Sequence, residues 1–149
     1  MRVVIQRVLQ ASVSISGTVT ASIGPGLLVL LGICEEDGSA DIDWLVKKIA
    51  GLRVFDDENG VMNRSLLDTG GSLLAVSQFT LYGDARGGRR PSYIRAARPD
   101  KADALYERLI ACWREKGIHV ETGIFRTEMK VALVNDGPVT ILLDSEKTF

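Results

Sequence analysis

Residues 27–34 read LLVLLGIC, an apolar run without alternation. A strand with one wet face alternates apolar and polar side chains, so this run suits a strand covered on both faces. Leu27 to Cys34 is therefore placed at the centre of a sheet. Leu27 to Leu31 is far too short to span a bilayer. Gly24-Pro25-Gly26 breaks the chain just before it, and Arg2 to Val8, rich in β-branched residues, reads as the first strand. Between them, Ala11 to Ser16 and Thr18 to Ile23 flank Ser16-Gly17, a hairpin signature.

Downstream, Ser39 can cap a helix with Asp41 and Asp43 in its first turn and Lys47 and Lys48 towards its end, as the helix dipole favours. Ile42, Leu45, Val46, Ile49 and Leu52 then share one face. Arg53 to Phe55 and Val61 to Met62 flank the acidic loop Asp56 to Gly60, which predicts a second hairpin. The acids there do not follow calcium-loop spacing, so the loop is read as a turn and not a metal site. After Gly70-Gly71 a strand is expected from Ser72 to Tyr82. Pro99 and Asp100 open a second helix, with Ala102, Leu105, Leu109, Cys112 and Trp113 at helical spacing and Gly117 as its C-terminal cap. Trp113 is assigned to the core. Ile118 to Thr122, Met129 to Asn135 and Val139 to Leu143 supply three further strands. Two main helices among many short strands, some joined by hairpins and some by helices, give an α/β fold with mixed pairing. A chain of 149 residues suits one domain, residues 1–149.

The composition excludes several functions. A formal net charge of −1 argues against coating nucleic acid through bulk electrostatics, so any RNA contact must be local, and DNA is not an expected partner. The concentrated basic region is Asp84 to Arg98, with Arg86, Arg89, Arg90, Arg95, Arg98 and Tyr93. It reads either as a solvated loop or as a phosphate contact. Cys34 and Cys112 lie far apart, and no secretory leader precedes the first strand, which points to a reducing cytoplasm and away from membranes. His119 is the single histidine, on the alternating stretch IHVET, where a surface role fits better than a catalytic triad. With no HExxH, CxxC or glycine-rich phosphate loop, neither a metal nor a cofactor is expected.

Ala75 to Asp84 reads AVSQFTLYGD, more polar than a buried strand needs. As a strand it would put Val76, Gln78, Thr80 and Tyr82 on one face and Ser77, Phe79 and Leu81 on the other. A second unusual stretch, Asn135 to Thr140, reads NDGPVT. Together SQFTLYGD and NDGPVT resemble the D-aminoacyl-tRNA deacylases, also called D-tyrosyl-tRNA deacylases. The similarity extends through MRVVIQRV, LRVFDDENGVMNRSLLD and GRRPSY.

The resemblance implies a compact layered fold with a curved, barrel-like sheet, and hydrolysis of the ester of D-aminoacyl-tRNA. An aminoacyl ester is already activated, so placement and hydrogen bonding suffice. Backbone N–H groups around Phe79 and Thr80, with Ser77 and Gln78 beside them, can stabilise the developing oxyanion. Thr80 is the candidate nucleophile. An unactivated hydroxyl is weak, so an orienting role beside the substrate's 2′-hydroxyl ranks first. In the family the dipeptide matching Gly137-Pro138 is cis, and its carbonyls enter the partner subunit's site, where they exclude L-amino acids. Arg7 matches a position that holds it. A homodimer with shared active sites follows. An obstruction at the α-carbon would pass many D-amino acids and also achiral glycine. Phe125 and Met129 match residues suited to packing the terminal adenine at the acceptor end, although both also suit a core. Arg86, Arg89 and Arg90 become candidate phosphate contacts. Two alternatives stand beside this reading: editing of L-aminoacyl- or glycyl-tRNA, as in the similar editing domain of some threonyl-tRNA synthetases, and a non-catalytic RNA-binding module.

Overall fold

The computed structural model describes every residue from Met1 to Phe149. In chain order the elements are β1 (Arg2–Ile15), β2 (Thr18–Ile23), β3 (Gly26–Gly32), α1 (Ser39–Ala50), β4 (Phe55–Asp56), β5 (Met62–Arg64) and α2 (Leu66–Thr69). They continue with β6 (Ser72–Ser77), a 3-10 turn (Phe79–Tyr82), α3 (Pro99–Glu115), β7 (Val120–Thr122) and β8 (Lys130–Asp144). No helix is long and apolar enough to cross a membrane.

The expected central strand is central. β3 runs antiparallel to β1 and parallel to β6, and β6 runs parallel to β7. Parallel neighbours need a crossover, and the segments carrying α1 and α3 provide the two that this sheet requires. Alternate residues of β3 serve two cores. Leu27, Val29 and Leu31 join the larger cluster with α1 and α3, while Leu28 joins a smaller one with Leu74 and Val76.

β1 curves the sheet into a barrel-like form. Its first half pairs with β3 and its second half with β2, while β8 follows its other edge from end to end. Its inward face changes along the way, since Val3 and Ile5 belong to the larger cluster but Val8, Ala11 and Val13 to the smaller. The switch falls where the β1–β8 register shifts, between Gln6 and Gln10, as a bulge would produce.

Several local expectations need correction. Arg2 to Val8 and Ala11 to Ile15 are one strand, joined to β2 by Ser16 and Gly17, both at positive φ as a tight hairpin demands. Ser39 lies inside α1. Gly38 caps it, because its N–H donates to Asp41 Oδ2 at 2.9 Å. Leu52 lies beyond the helix, while Ile42, Leu45, Val46 and Ile49 form the buried face. α2 is a third helix; Ser65 and Asp68 cap its start, and Gly70 ends it at φ +65. Lys130 to Asn135 and Val139 to Leu143 belong to one strand, which Met129 precedes, so NDGPVT interrupts β8 and does not connect two strands. Trp113 is buried in the core, as expected.

Gly26 begins the β3–β6 pairing so close to its neighbour that an added Cβ would stand 1.9 Å from the Ser72 carbonyl oxygen. Gly24 has nothing within 4 Å. Gly26→Ala should therefore cost about 3 kcal/mol or more, and Gly24→Ala less than about 0.5 kcal/mol. Urea unfolding of both variants checks this, and equal costs would refute the close approach.

Candidate functional site

The site begins where the central pairing stops. The last paired residues are Leu31 and Ser77, and the Gln78 N–H then donates to the Leu31 carbonyl at 2.7 Å. The chain turns there: Leu81 N–H donates to Gln78 C=O at 3.2 Å and Gly83 N–H to Thr80 C=O at 2.9 Å. The strand expected to reach Tyr82 thus ends at Ser77, and Phe79–Tyr82 is a 3-10 turn. Its cause is close packing on β3, since a Cβ at Gly32 would lie 3.0 Å from Leu81 Cβ and 3.3 Å from Tyr82 Cδ2. Side chains that alternation would have paired now separate. Tyr82 is buried, whereas Thr80 and Phe79 are exposed.

The turn leaves useful donors. The amides of Phe79 and Thr80 open it, where no i−3 carbonyl is available to them, and neither donates elsewhere in the chain. Gln78 Nε2 donates to Thr80 Oγ1. Thr80 Oγ1 keeps its own proton to donate, and no carboxylate or imidazole is bonded to it as a base.

Ser77, Gln78 and Phe79 line a cleft of about 770 Å³. Phe125 and Met129 line it from the segment between β7 and β8, and Tyr93 and Arg98 from the basic loop. Thr80 itself is not among the lining residues but is tied to them through Gln78. Phe79 meets Tyr93 edge to face at 5.2 Å between ring centroids, and Phe125 rests against the buried Tyr106 at 6.2 Å. One apolar wall and one edge with free amides suit a flat ring carrying a polar, reactive group.

The basic loop divides into two kinds of arginine. Arg86 is held by Asp84 through contacts of 2.6 and 2.9 Å, and these keep the Asp84 carboxyl well below the usual carboxylate range. Arg95 is held by Glu146. Arg89 and Arg90 are exposed and have no carboxylate partner, but neither they nor Arg86 line the cleft. Arg98 and Tyr93, placed by sequence only in the basic loop, do line it. Packing of a loop against a distant turn leaves no local signal that would have singled them out.

Arg7 is not a surface cation; it is buried at 7% exposure. Asp136 to Val139 form a bulge in β8 opposite this single residue, between the pairs Gln6–Thr140 and Val8–Asn135. Arg7 Nε donates to the Asp136 carbonyl at 3.2 Å and lies 3.1 Å from its Oδ2, while Nη1 donates to Val54 C=O at 2.7 Å. Asn135 Oδ1 accepts from the Val139 N–H at 3.0 Å, closing the other side. The Gly137-Pro138 bond is cis, as the resemblance implies, and Gly137 takes φ +118. Gly137 and Pro138 are exposed and do not line their own chain's cleft.

Other reactive groups stand apart. His119 Nε2 lies 3.2 Å from Glu121 at the surface, outside the cleft. Cys34, Glu36 and Glu146 bring potential ligand atoms within 4.8 Å. Arg95 already occupies Glu146, and burial pushes the Cys34 thiol up, away from the thiolate a metal would want.

Comparison with known proteins is consistent along the whole chain. Residues 4–144 match the family model described as D-Tyr-tRNA(Tyr) deacylase. The chain is 60% identical over 149 residues to a D-aminoacyl-tRNA deacylase of Symbiobacterium thermophilum, covering 100% of this chain and 99% of that protein. It is 57% identical over 147 residues to one of Thermus aquaticus, covering 99% and 97%. Among solved structures, a c-Myc DNA unwinding element binding protein superposes with TM-score 0.92 at 38% identity, over 97% of this chain and 99% of that one. A probable eukaryotic D-amino acid tRNA deacylase shares the fold, with TM-score 0.81 at 18% identity over 95% and 97% of the two chains.

The forked contacts of Arg7 predict an effect of the most conservative change. Lysine keeps the charge but cannot reach Val54 and Asp136 together, so Arg7→Lys should lose about 1–2 kcal/mol. A denaturant midpoint unchanged from wild type would show the fork to be dispensable.

Proposed function

This chain belongs to the D-aminoacyl-tRNA deacylase family, and from that premise we infer that it hydrolyses the ester joining a D-amino acid to tRNA. One arrangement supports this most directly: free amides at Phe79 and Thr80 beside a cleft lined by Phe125 and Met129. Water adds to the ester carbonyl, and the bond to the ribose oxygen breaks as that oxygen takes up a proton. Negative charge on the carbonyl oxygen during the addition is met by the two amides, with Gln78 in support; removing one such donor typically costs about 100-fold in rate. Ser77 positions the start of the turn. Thr80 orients water or substrate alongside the vicinal ribose hydroxyl, a role that suits a hydroxyl with a proton to donate and no base to activate it.

Selectivity is assigned to the main chain. Gly137 and Pro138 present their carbonyls to the cleft of a second subunit, leaving room for hydrogen at the α-carbon but not for the side chain of an L-amino acid. Support comes from the exposure of this bulge, its absence from its own cleft and its anchorage on buried Arg7. β8 pairs only with β1 and exposes Leu133, Val134 and Leu142, a surface suited to a homodimer. Glycine, with no substituent to clash, would pass the same gate, so glycyl-tRNA mischarged onto tRNA(Ala) is a further substrate. The work belongs in the cytoplasm, where aminoacyl-tRNA is used.

Paired assays with D- and L-tyrosyl-tRNA test the reading. D-ester should be cleaved at least about 100-fold faster, the discrimination that a steric clash of about 3 kcal/mol provides. Equal cleavage of both would refute the gate. Thr80→Ala retaining near-normal turnover would exclude a nucleophile and leave the orienting role.

Contacts to the acceptor end are assigned to Phe125 and Met129 for the terminal adenine, and to Arg89 and Arg90, with Arg86 restrained by Asp84, for phosphates. Met129→Asp should raise KM far more than it lowers the melting midpoint. Replacing Arg89 and Arg90 together by Ala should raise KM and flatten its salt dependence by up to about two logarithmic slope units. Equal loss of folding and binding in the first variant, or an unchanged salt slope in the second, would count against these assignments.

A further inference from the structure

The turn that carries Phe79 and Thr80 spans only Phe79–Tyr82, and a short 3-10 segment has poor hydrogen-bond geometry of its own. Its far end is clamped from outside. Arg2 Nη1 donates to the Leu81 carbonyl at 3.3 Å, and the same guanidinium lies 4.8 Å from the centroid of the Tyr82 ring. A second guanidinium, that of Arg95, lies 5.5 Å from that centroid. Both cations are themselves held. Arg2 Nε stands 3.6 Å from Asp144 Oδ2, and Arg95 Nη2 bonds both carboxylate oxygens of Glu146 at 2.8 and 3.0 Å. The Tyr82 ring is 2% exposed and packs on Gly32 at the end of β3, so it has little freedom to yield.

We propose that Arg2 is a positioning residue for deacylation, fixing Leu81 and Tyr82 so that the Phe79 and Thr80 amides keep their direction towards the scissile carbonyl. The proposal rests on the reading that this turn hydrolyses D-aminoacyl-tRNA. Arginine is required because a planar fork can lie over a ring and donate to a carbonyl at once, whereas an ammonium is a compact point charge. Arg95 joins the same ring from the basic loop, which couples that loop to the turn.

Arg2→Lys tests the clamp, since it keeps a cation beside Asp144 but removes the fork. The expected result is a fall in kcat of about tenfold with KM within about twofold, as for loss of an interaction that matters mainly in the transition state. The melting midpoint should stay close to wild type. In NMR spectra of the unliganded protein, the amide resonances of Phe79 to Tyr82 should shift while those of α1 and α3 stay in place. Unchanged kcat, unchanged turn resonances, or activity lost only in proportion to unfolded protein would each overturn the clamp. Wild-type protein inert towards D-tyrosyl-tRNA would overturn the reading of the site, and the resonance shifts would still report separately on the clamp.

Discussion

The parallel pairing of β3 with β6 is the constraint from which the rest follows. Both strands are buried on both faces, so every backbone N–H and C=O between them must be paired, and the chain can leave the ladder only where the pairing ends. It ends at Leu31 and Ser77. The absence of a side chain at Gly32 lets Leu81 and Tyr82 close down on β3. This forces Phe79 and Thr80 outward with their amides unspent. A polar edge with two unspent amides is thereby obtained at the end of an apolar ladder.

The second device uses the same economy of means. β1 bends from one core to the other, and at the bend Arg7 takes the place of a core residue, holding a β8 bulge by its main chain and not by a hydrophobic contact. A guanidinium in that place is costly to bury unless donors are met, and Val54, Asp56 and Asp136 meet those of Nε and Nη1. The result is a loop fixed relative to the sheet, as an obstruction must be if it is to judge a single substituent on a substrate. Side chains yield by a few tenths of an ångström; a main chain anchored at both ends yields less.

Much of this fold was legible in local sequence. LLVLLGIC announced a doubly covered strand, Ser16-Gly17 a hairpin, and the spacing of Ile42, Leu45, Val46 and Ile49 a helix face, because each depends on residues a few positions apart. What escaped depended on distant neighbours. Gln78, Thr80 and Tyr82 alternate like a strand, yet close packing at Gly32 bends them into a turn. Gly137-Pro138 looks like a connection, yet pairing with β1 resumes on the far side and makes it a bulge. Arg7 looks like a surface cation until the bulge covers it. Arg86 looks like a free phosphate ligand until Asp84 is seen beside it. Family resemblance supplied the role of Arg7 and the geometry of the dipeptide, which no local pattern in this chain could have supplied.

The claim that one protomer guards the cleft of another is tested most directly by mixing. Arg7→Lys protein, with a loosened bulge, is incubated with excess Met129→Asp protein, whose bulge is intact and whose cleft binds substrate poorly, until native mass spectrometry shows mixed dimers. Cleavage of L-tyrosyl-tRNA is then followed. If the obstruction acts across the interface, cleavage of the L-ester by the Arg7→Lys protomers falls as the partner is added, because each of their clefts gains an intact guard. Cleavage of the L-ester that stays proportional to the amount of Arg7→Lys protein, with mixed dimers present, would contradict it.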